Sequence, residues 1–440
     1  MLTILVNLLM LHFFSYILGG KLLKTLHTST LSTETTYLAR SLLGLLILIN
    51  ISQFASLFNP IASYRLIFFG IMTAVIISQV RHIKKIDVRY CLLALAVSAY
   101  ASGVIYWGDS GSYHMALVGI ANEYGTIAGL GAIDQRYGSL SSIFSFTSLY
   151  LFSEKIKIYQ IVNVTVLLML IFFVVNVKHY VNNFTGMMSA LWFGMVVILA
   201  LRWGVLISPS PDLLPIVIPF LCALVLFDKN GTIEQKLFLI AVFGALSLSI
   251  RLSSLPLLFL PLILLLSRHN ELSLRKILFN NPMSIGIIIG SLFVTLTTNI
   301  MTTGYPFYPS SVLKLDLEWT LPLGSVNEYS AAIHNFAKCG AIAYSNGSCS
   351  KMTHFEIITN WATSRVDFAS ALMILSCVFL GILTRNQTKA YEFRVFSIWI
   401  FSSVIFILLS APTLRFLVGY LALYISLSCA MYLRSLRPQI

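Results

Sequence analysis

Long apolar runs separated by short polar segments make up most of the chain. A helix of about 20 apolar residues crosses a bilayer core of ~30 Å, and most of these runs come close to that length. Many of the polar segments carry Lys or Arg, as loops between membrane helices do. The pattern predicts transmembrane α-helices over 2–19, 41–58, 64–80, 90–106, 158–177, 187–203, 213–227, 285–301, 368–383, 395–409 and 416–432.

Two apolar runs do not fit a single straight span. The run 237–266 is interrupted by Arg251, and an arginine at the bilayer centre costs at least ~2.5 kcal/mol. We therefore predict two short helices in a hairpin, with Arg251 at the outer turn. The run 139–152 would be only ~21 Å long as a helix, so we predict a partial or re-entrant helix there. The predicted fold is therefore an all-α polytopic membrane bundle of about thirteen spans, which forms one integral membrane domain over 1–440.

Composition excludes a soluble protein and argues against a nucleic-acid partner. The chain is 58% hydrophobic and 10% charged, so membrane lipids are its expected surroundings. Its net charge of +13 comes from Lys and Arg spread over short loops, with no basic run or nucleic-acid motif. Such residues mark cytoplasmic loops. The segment 81–89 is therefore predicted to be cytoplasmic, and the following span leads to the outer side.

The stretch 107–142 is rich in polar residues for so apolar a chain. It is predicted to be an outer loop with amphipathic helices and a candidate catalytic acid, Asp109, five residues before His114. The apolar residues after Asp109 are expected to rest on the bilayer surface. Glu123 and Arg136 follow. The alternative is an ordinary solvated loop.

A second outer region is predicted over 302–367. It contains Cys339 and Cys349, which are predicted to form a disulfide if that face is oxidising. The other four cysteines lie in apolar runs, where they are expected to be inert.

The outer polar residues suit transfer chemistry on a phosphate-bearing lipid. Arginine binds phosphate oxygens bidentately, a carboxylate can deprotonate an attacking hydroxyl, and aromatic rings can stack on sugars, although Tyr and Trp at membrane boundaries are often only anchors. No metal, nucleotide-phosphate or hydrolase motif is present, but two aspartates with water could hold Mg or Mn. We therefore predict catalytic roles for Asp109, His114 and Asp212, and substrate binding by Glu123, Arg136, Arg251, Tyr305, Tyr308, Trp319 and Arg415.

Several short motifs resemble a family of bacterial polytopic membrane proteins linked to surface polysaccharide genes. They include Asp109-Ser-Gly-Ser-Tyr-His114, Ser208-Pro-Ser-Pro-Asp212, Gly304-Tyr-Pro-Phe-Tyr-Pro309 and Ala411-Pro-Thr-Leu-Arg415-Phe. That family is similar to the GT-C superfamily of glycosyltransferases. The resemblance implies a polyprenyl-phosphate-linked sugar as donor, a glycan or lipid-linked acceptor, and an active face on the periplasmic side of the bacterial inner membrane.

By position, Asp109 matches the first-loop acid of that superfamily and Asp212 the second. The chain departs from the pattern in lacking an Asp-x-Asp or Glu-x-Asp pair at Asp109, and in its three leading spans. Two other functions remain open. A polysaccharide-repeat polymerase, as for O-antigen, needs a similar site. A lipid-linked sugar flippase or transporter should carry charges through the bilayer, where the predicted spans hold almost none besides Arg251.

Overall fold

The computed structural model describes residues 1–26, 31–80, 88–105, 108–177, 184–268, 281–345, 349–363, 367–384 and 391–436. Over these ranges the chain is helical, with one isolated antiparallel bridge between Leu151 and Lys157. The all-α class predicted from the sequence is confirmed. Trp107 and most of the basic segment 81–89 lie outside the described residues.

The first helices are α1 (Leu2–Thr25), α2 (Thr33–Ser56), α3 (Arg65–Val80) and α4 (Val88–Ala101), and a π-helical turn, Ser110–His114, leads into α5 (Met115–Glu123). Next come α6 (Ser142–Ser148), α7 (Ile161–Val177), α8 (Phe184–Trp203), α9 (Leu213–Phe227), α10 (Ile233–Leu248) and α11 (Phe259–Ser267). The last are α12 (Pro282–Thr303), α13 (Leu323–Ser345), α14 (His354–Thr363), α15 (Phe368–Thr384), α16 (Tyr391–Ser410) and α17 (Leu414–Leu436).

Length and hydropathy mark several of these helices as membrane spans. Among the described residues, six are long and apolar enough to cross a bilayer, or seven if the bent pair α14 and α15 counts as one span. Shorter apolar helices, such as α4, α7 and α9, accompany them. The protein thus has the helices of a polytopic membrane protein, while the count of thirteen spans stays a prediction.

The two irregular runs are broken in the structure as well. α10 ends at Leu248, Arg251 is extended, and a 3-10 segment, Leu252–Leu258, leads into α11. The helix in the run 139–152, α6, has only seven residues, or ~10 Å, so it cannot cross the bilayer alone.

α9 is the central helix of the bundle. Nearly all its residues are buried and apolar, as expected for a helix surrounded by other helices on every side. Its polar ends are Asp212 and Asp228, ~24 Å apart at the rise of an α-helix. Asp212 is therefore held at one fixed end of the core.

The apolar face of α5 packs inside the protein, which corrects the expectation that it rests on the bilayer. Leu117 and Val118 are fully buried and form a small cluster with Leu130, Leu140 and Phe144. The sequence pattern shows that a helix has an apolar face but not what covers that face. Here the residues after the helix fold back over it.

A buried polar network holds α6 against α2 and α12. Gln53 accepts a hydrogen bond from Ser145 (2.7 Å) and donates one to Thr298 (3.0 Å). Arg65 donates to the carbonyl oxygens of Ser148 and Leu149 at 3.1 and 3.0 Å, which satisfies acceptors at the end of α6. Because these groups are satisfied, a short polar helix can be buried here.

Candidate functional site

Four helix ends meet at the proposed site, and each contributes one charged side chain. Asp109 precedes the π-helical turn, Asp212 begins α9, Arg251 lies in the break after α10, and Arg415 lies in the first turn of α17. Positions far apart in the sequence are thereby brought into one polar cluster at the end of an apolar bundle.

Two Arg–Asp ion pairs form the centre of the cluster. Arg251 pairs with Asp212, and Arg415 Nη1 lies 3.3 Å from Asp109 Oδ2. Both guanidinium groups also approach the ring of Phe416, with their Cζ atoms 4.5 and 5.0 Å from its centroid. The pairs differ in burial, because the side chain of Asp212 is 3% exposed and that of Asp109 is 38% exposed.

The turn that presents Asp212 is fixed by hydrogen bonds. Ser210 Oγ donates to Asp212 Oδ2 at 3.0 Å. From α7, Asn163 Nδ2 donates to the carbonyl oxygens of Val205, Ser208 and Ser210 at 3.0, 2.8 and 2.9 Å. Sequence reasoning missed Asn163. A buried amide in an otherwise apolar helix was the signal that could have found it.

His114 is almost completely buried beside the arginines. Neither ring nitrogen has a hydrogen-bond partner among the described residues, and the ring contacts Tyr113 and Phe144 with centroids 4.3 and 5.3 Å away. Burial lowers the pKa of His114 to about 3, with the charges of Arg251 and Arg415 adding to the shift. The imidazole is therefore neutral near pH 7, able to donate one hydrogen bond and accept another.

Beside the two ion pairs lies a group of tyrosine rings, Tyr113, Tyr308 and Tyr329, called here the aromatic wall. The Arg136 guanidinium lies over the Tyr113 ring, 5.3 Å from its centroid, and its Nη2 is 2.6 Å from Asp134. Tyr308 is fully buried, donates its hydroxyl to the Gln135 carbonyl oxygen at 2.7 Å, and stacks on Tyr329 from α13, with ring centroids 5.8 Å apart. It therefore supports Tyr329 from behind and is not itself open to a ligand.

Tyr329 was not predicted from the sequence, where nothing separates it from other tyrosines. Burial raises its pKa to about 12, while the charges of Arg136, Arg251 and Arg415 act in the opposite direction. Tyr329 therefore lies within electrostatic range of all three arginines.

Four hydroxyl groups around the cluster are buried without a partner among the described residues. They belong to Ser110, next to Asp109, to Ser253 and Ser254, just after Arg251, and to Thr413, two residues before Arg415. Buried polar atoms are usually hydrogen-bonded, and leaving one unpaired costs ~1–3 kcal/mol. Buried polar atoms without a partner also occur elsewhere in the described part of the chain, but these four belong to residues within three positions of Asp109, Arg251 or Arg415.

Three predicted binding residues have other surroundings. Tyr305 is buried and donates its hydroxyl to the Leu321 carbonyl oxygen at 3.1 Å. The Trp319 indole N–H donates to the Ile300 carbonyl oxygen at 3.0 Å. Glu123 is exposed at the end of α5. We leave these three out of the proposed site.

Cys339 in α13 is joined to Cys349 by a disulfide, with the two Cα atoms 5.7 Å apart. The bond links the helix that carries Tyr329 to the segment before α14. It therefore closes a loop within the predicted outer region 302–367.

The carboxylates of the site do not form a metal-binding set. In the described ranges, no group of three or more His, Cys, Asp and Glu side chains is placed to hold an ion. Asp109 and Asp212 each face an arginine instead, and a cation next to a guanidinium would be repelled. No divalent cation is therefore assigned to Asp109 and Asp212.

Comparison with known proteins gives a family but no described function. No curated protein and no solved structure matches the chain. The model of the family described as Domain of unknown function (DUF8201) matches residues 1–422, and the chain belongs to that family.

Proposed function

We propose that this protein is a membrane glycosyltransferase of GT-C-like architecture, with about thirteen spans. It moves a sugar from a polyprenyl-phosphate donor to a cell-envelope glycan or lipid-linked acceptor. The active face is periplasmic, and the protein lies in the bacterial inner membrane. Two observations support it: the resemblance of the sequence motifs to that superfamily, and the charged and polar residues that meet at the site.

The convergence of Arg251 and Arg415 on one ring is the observation that carries the proposal. Both guanidinium groups are partly exposed and lie against the same ring, so both can donate N–H groups to one anion with several oxygens. The hydroxyl groups of Ser110, Ser253, Ser254 and Thr413, close in sequence to the charged residues, and the neutral His114 are buried without hydrogen-bond partners among the described residues. A sugar phosphate has both the charge for the arginines and the hydroxyl groups for these polar atoms.

Asp109 is the best-placed base. Of the two aspartates in the cluster it is the more exposed, and its contact with Arg415 is a long one at 3.3 Å. We propose that the donor phosphate draws Arg415 toward itself and frees Asp109. Asp109 then takes the proton from the acceptor hydroxyl, whose oxygen bonds to the anomeric carbon. The bond from that carbon to the phosphate oxygen breaks, and its electron pair leaves with the polyprenyl phosphate.

Asp212 has a supporting role in this proposal. It is buried and held by Arg251 and Ser210, so an acceptor cannot reach it directly. It fixes the guanidinium of Arg251 in place for the phosphate. No step is assigned to a divalent cation, because both carboxylates face arginines.

The test is complementation of a deletion strain with variants at matched protein levels, followed by mass spectrometry of surface polysaccharide and lipid-linked intermediates. Asp109→Asn should lower sugar transfer by ~100-fold or more, as loss of a general base does. Arg251→Lys should weaken donor binding, because an ammonium cannot reproduce the bidentate contact. Asp316→Asn is the control, since Asp316 pairs with Lys314 in an exposed bridge.

Full glycan restoration by Asp109→Asn would overturn the assignment of the base. A deletion strain that accumulates single repeats without polymer would show a polymerase instead of a transferase. A strain with unchanged polysaccharide and intermediates would reject both.

A further inference from the structure

α14 is a short helix with two chemically distinct faces. Successive residues are ~100° apart around a helix axis, so residues three or four apart share a side. Glu356, Thr359, Asn360 and Thr363 fall on one side of α14. The other side carries Phe355, Ile357, Ile358, Trp361 and Ala362.

Only one edge of the apolar face is covered by the protein. Trp361 packs against the main hydrophobic core and donates its indole N–H to the Pro412 carbonyl oxygen at 2.5 Å. Phe355 and Ile358 are 78% and 63% exposed. The surface of a soluble protein rarely exposes two large neighbouring apolar side chains to this extent.

The next helix indicates what covers them. α15 is apolar, and its outward residues Leu375, Phe379 and Ile382 are exposed, as on a lipid-facing span. The axes of α14 and α15 differ by 93°. If α15 crosses the bilayer, α14 lies parallel to the membrane plane at the end of that span.

We propose that α14 is an interfacial helix that inserts Phe355 and Ile358 into the boundary layer of the bilayer. The partner is the lipid surface, which α15 also meets through its exposed apolar residues. Short amphipathic helices bind membranes in this way, with apolar residues a few ångströms below the headgroups. The inference needs the chain to be a membrane protein but not a glycosyltransferase.

Both this helix and the residue just before α15 are tied to the turn before Arg415. Trp361 holds the Pro412 carbonyl oxygen, and Asp367 Oδ1 accepts a hydrogen bond from the Leu414 backbone N–H at 2.9 Å. Insertion of α14 therefore sets the depth of the Arg415 turn relative to the lipid headgroups, where a lipid-borne phosphate would lie.

The experiment measures probe depth in the full-length protein reconstituted in phosphatidylcholine vesicles. Phe355→Cys and Ile358→Cys, each labelled with an environment-sensitive fluorophore, are compared with Asn360→Cys on the polar face. Cys91, the exposed free cysteine, is first replaced by serine. Lipids brominated near the headgroup should quench probes at positions 355 and 358 at least several-fold more than the probe at 360, and blue-shift their emission.

Equal quenching at the three positions would overturn the proposal. So would blue-shifted emission at 355 and 358 without bromolipid quenching, because that result means that protein covers the face. Crosslinking of these positions to a second copy would identify such a cover. A uniformly low, solvent-like signal would show that the face stays in water.

Discussion

Removing one partner of the buried ion pair between Asp212 and Arg251 should destabilise the protein far more than removing one partner of an exposed pair of the same residue types. Asp212 and Arg251 have side chains that are 3% and 21% exposed. In the other pair, Asp134 and Arg136 are 29% and 45% exposed. The molecule thus contains its own control, with the same chemistry in two environments.

Asp212→Asn keeps the shape of the side chain but removes the charge that faces Arg251. Removing one partner of a buried pair leaves an uncompensated buried charge and costs ~3–5 kcal/mol. Asp134→Asn, at a solvent-exposed pair, should cost only ~0–1 kcal/mol. The expected difference between the two variants is therefore about 3 kcal/mol.

The assay is equilibrium unfolding of purified protein in mixed detergent micelles, followed by helical circular dichroism. The double variant Asp212→Asn/Arg251→Met should regain part of the lost stability, because neither charge then remains alone. A destabilisation by Asp212→Asn no larger than that by Asp134→Asn would refute the reasoning. It would mean that water or another group solvates Arg251.

Three further outcomes are expected. The pKa of His114 is lowered to about 3 from an ordinary value near 6.5, so the unfolded chain binds a proton that the folded chain does not. Stability should therefore fall as the pH drops from about 6.5 toward 3, and His114→Phe should flatten this part of a plot of Tm against pH; an unchanged slope would contradict the burial argument. Asn163→Leu should remove the side-chain donor from the carbonyl oxygens of Ser208 and Ser210, whereas that of Val205 still accepts from the backbone N–H and the hydroxyl of Ser208. The variant should be destabilised by ~1–3 kcal/mol in the same unfolding assay, with weaker binding of the sugar donor. Wild-type stability would show that other contacts hold the turn. Denatured, unreduced protein should show no thiol labelling at Cys339 and Cys349, which are paired in the structure, and two reactive thiols there would argue against the outer placement of this region.

Hydropathy alone was enough to indicate the helical membrane class and the irregular run at Arg251. Both depend on local composition, because an apolar run must satisfy its own backbone hydrogen bonds in lipid, and only a helix does so within one segment. An arginine inside such a run is costly wherever the chain goes. The structure accordingly breaks the helix at Arg251.

Individual site residues could also be proposed from the sequence, but not their roles. Asp109 and Asp212 stood out because acidic residues are rare in this chain, and the sequence pattern predicted the same catalytic role for both. In the structure the side chain of Asp109 is partly exposed, whereas that of Asp212 is almost completely buried. Burial depends on neighbours from other helices, so it cannot be read from the local pattern.

The pairing of charges was decided only by tertiary structure. Asp109 and Arg415 are separated by 306 positions, and no periodic pattern links residues so far apart. The same holds for α5, whose apolar face is covered by the protein, and for Tyr329, which reaches the site because α13 packs beside it. Periodicity fixes which residues share a side of one helix, whereas the packing of all helices decides which sides meet.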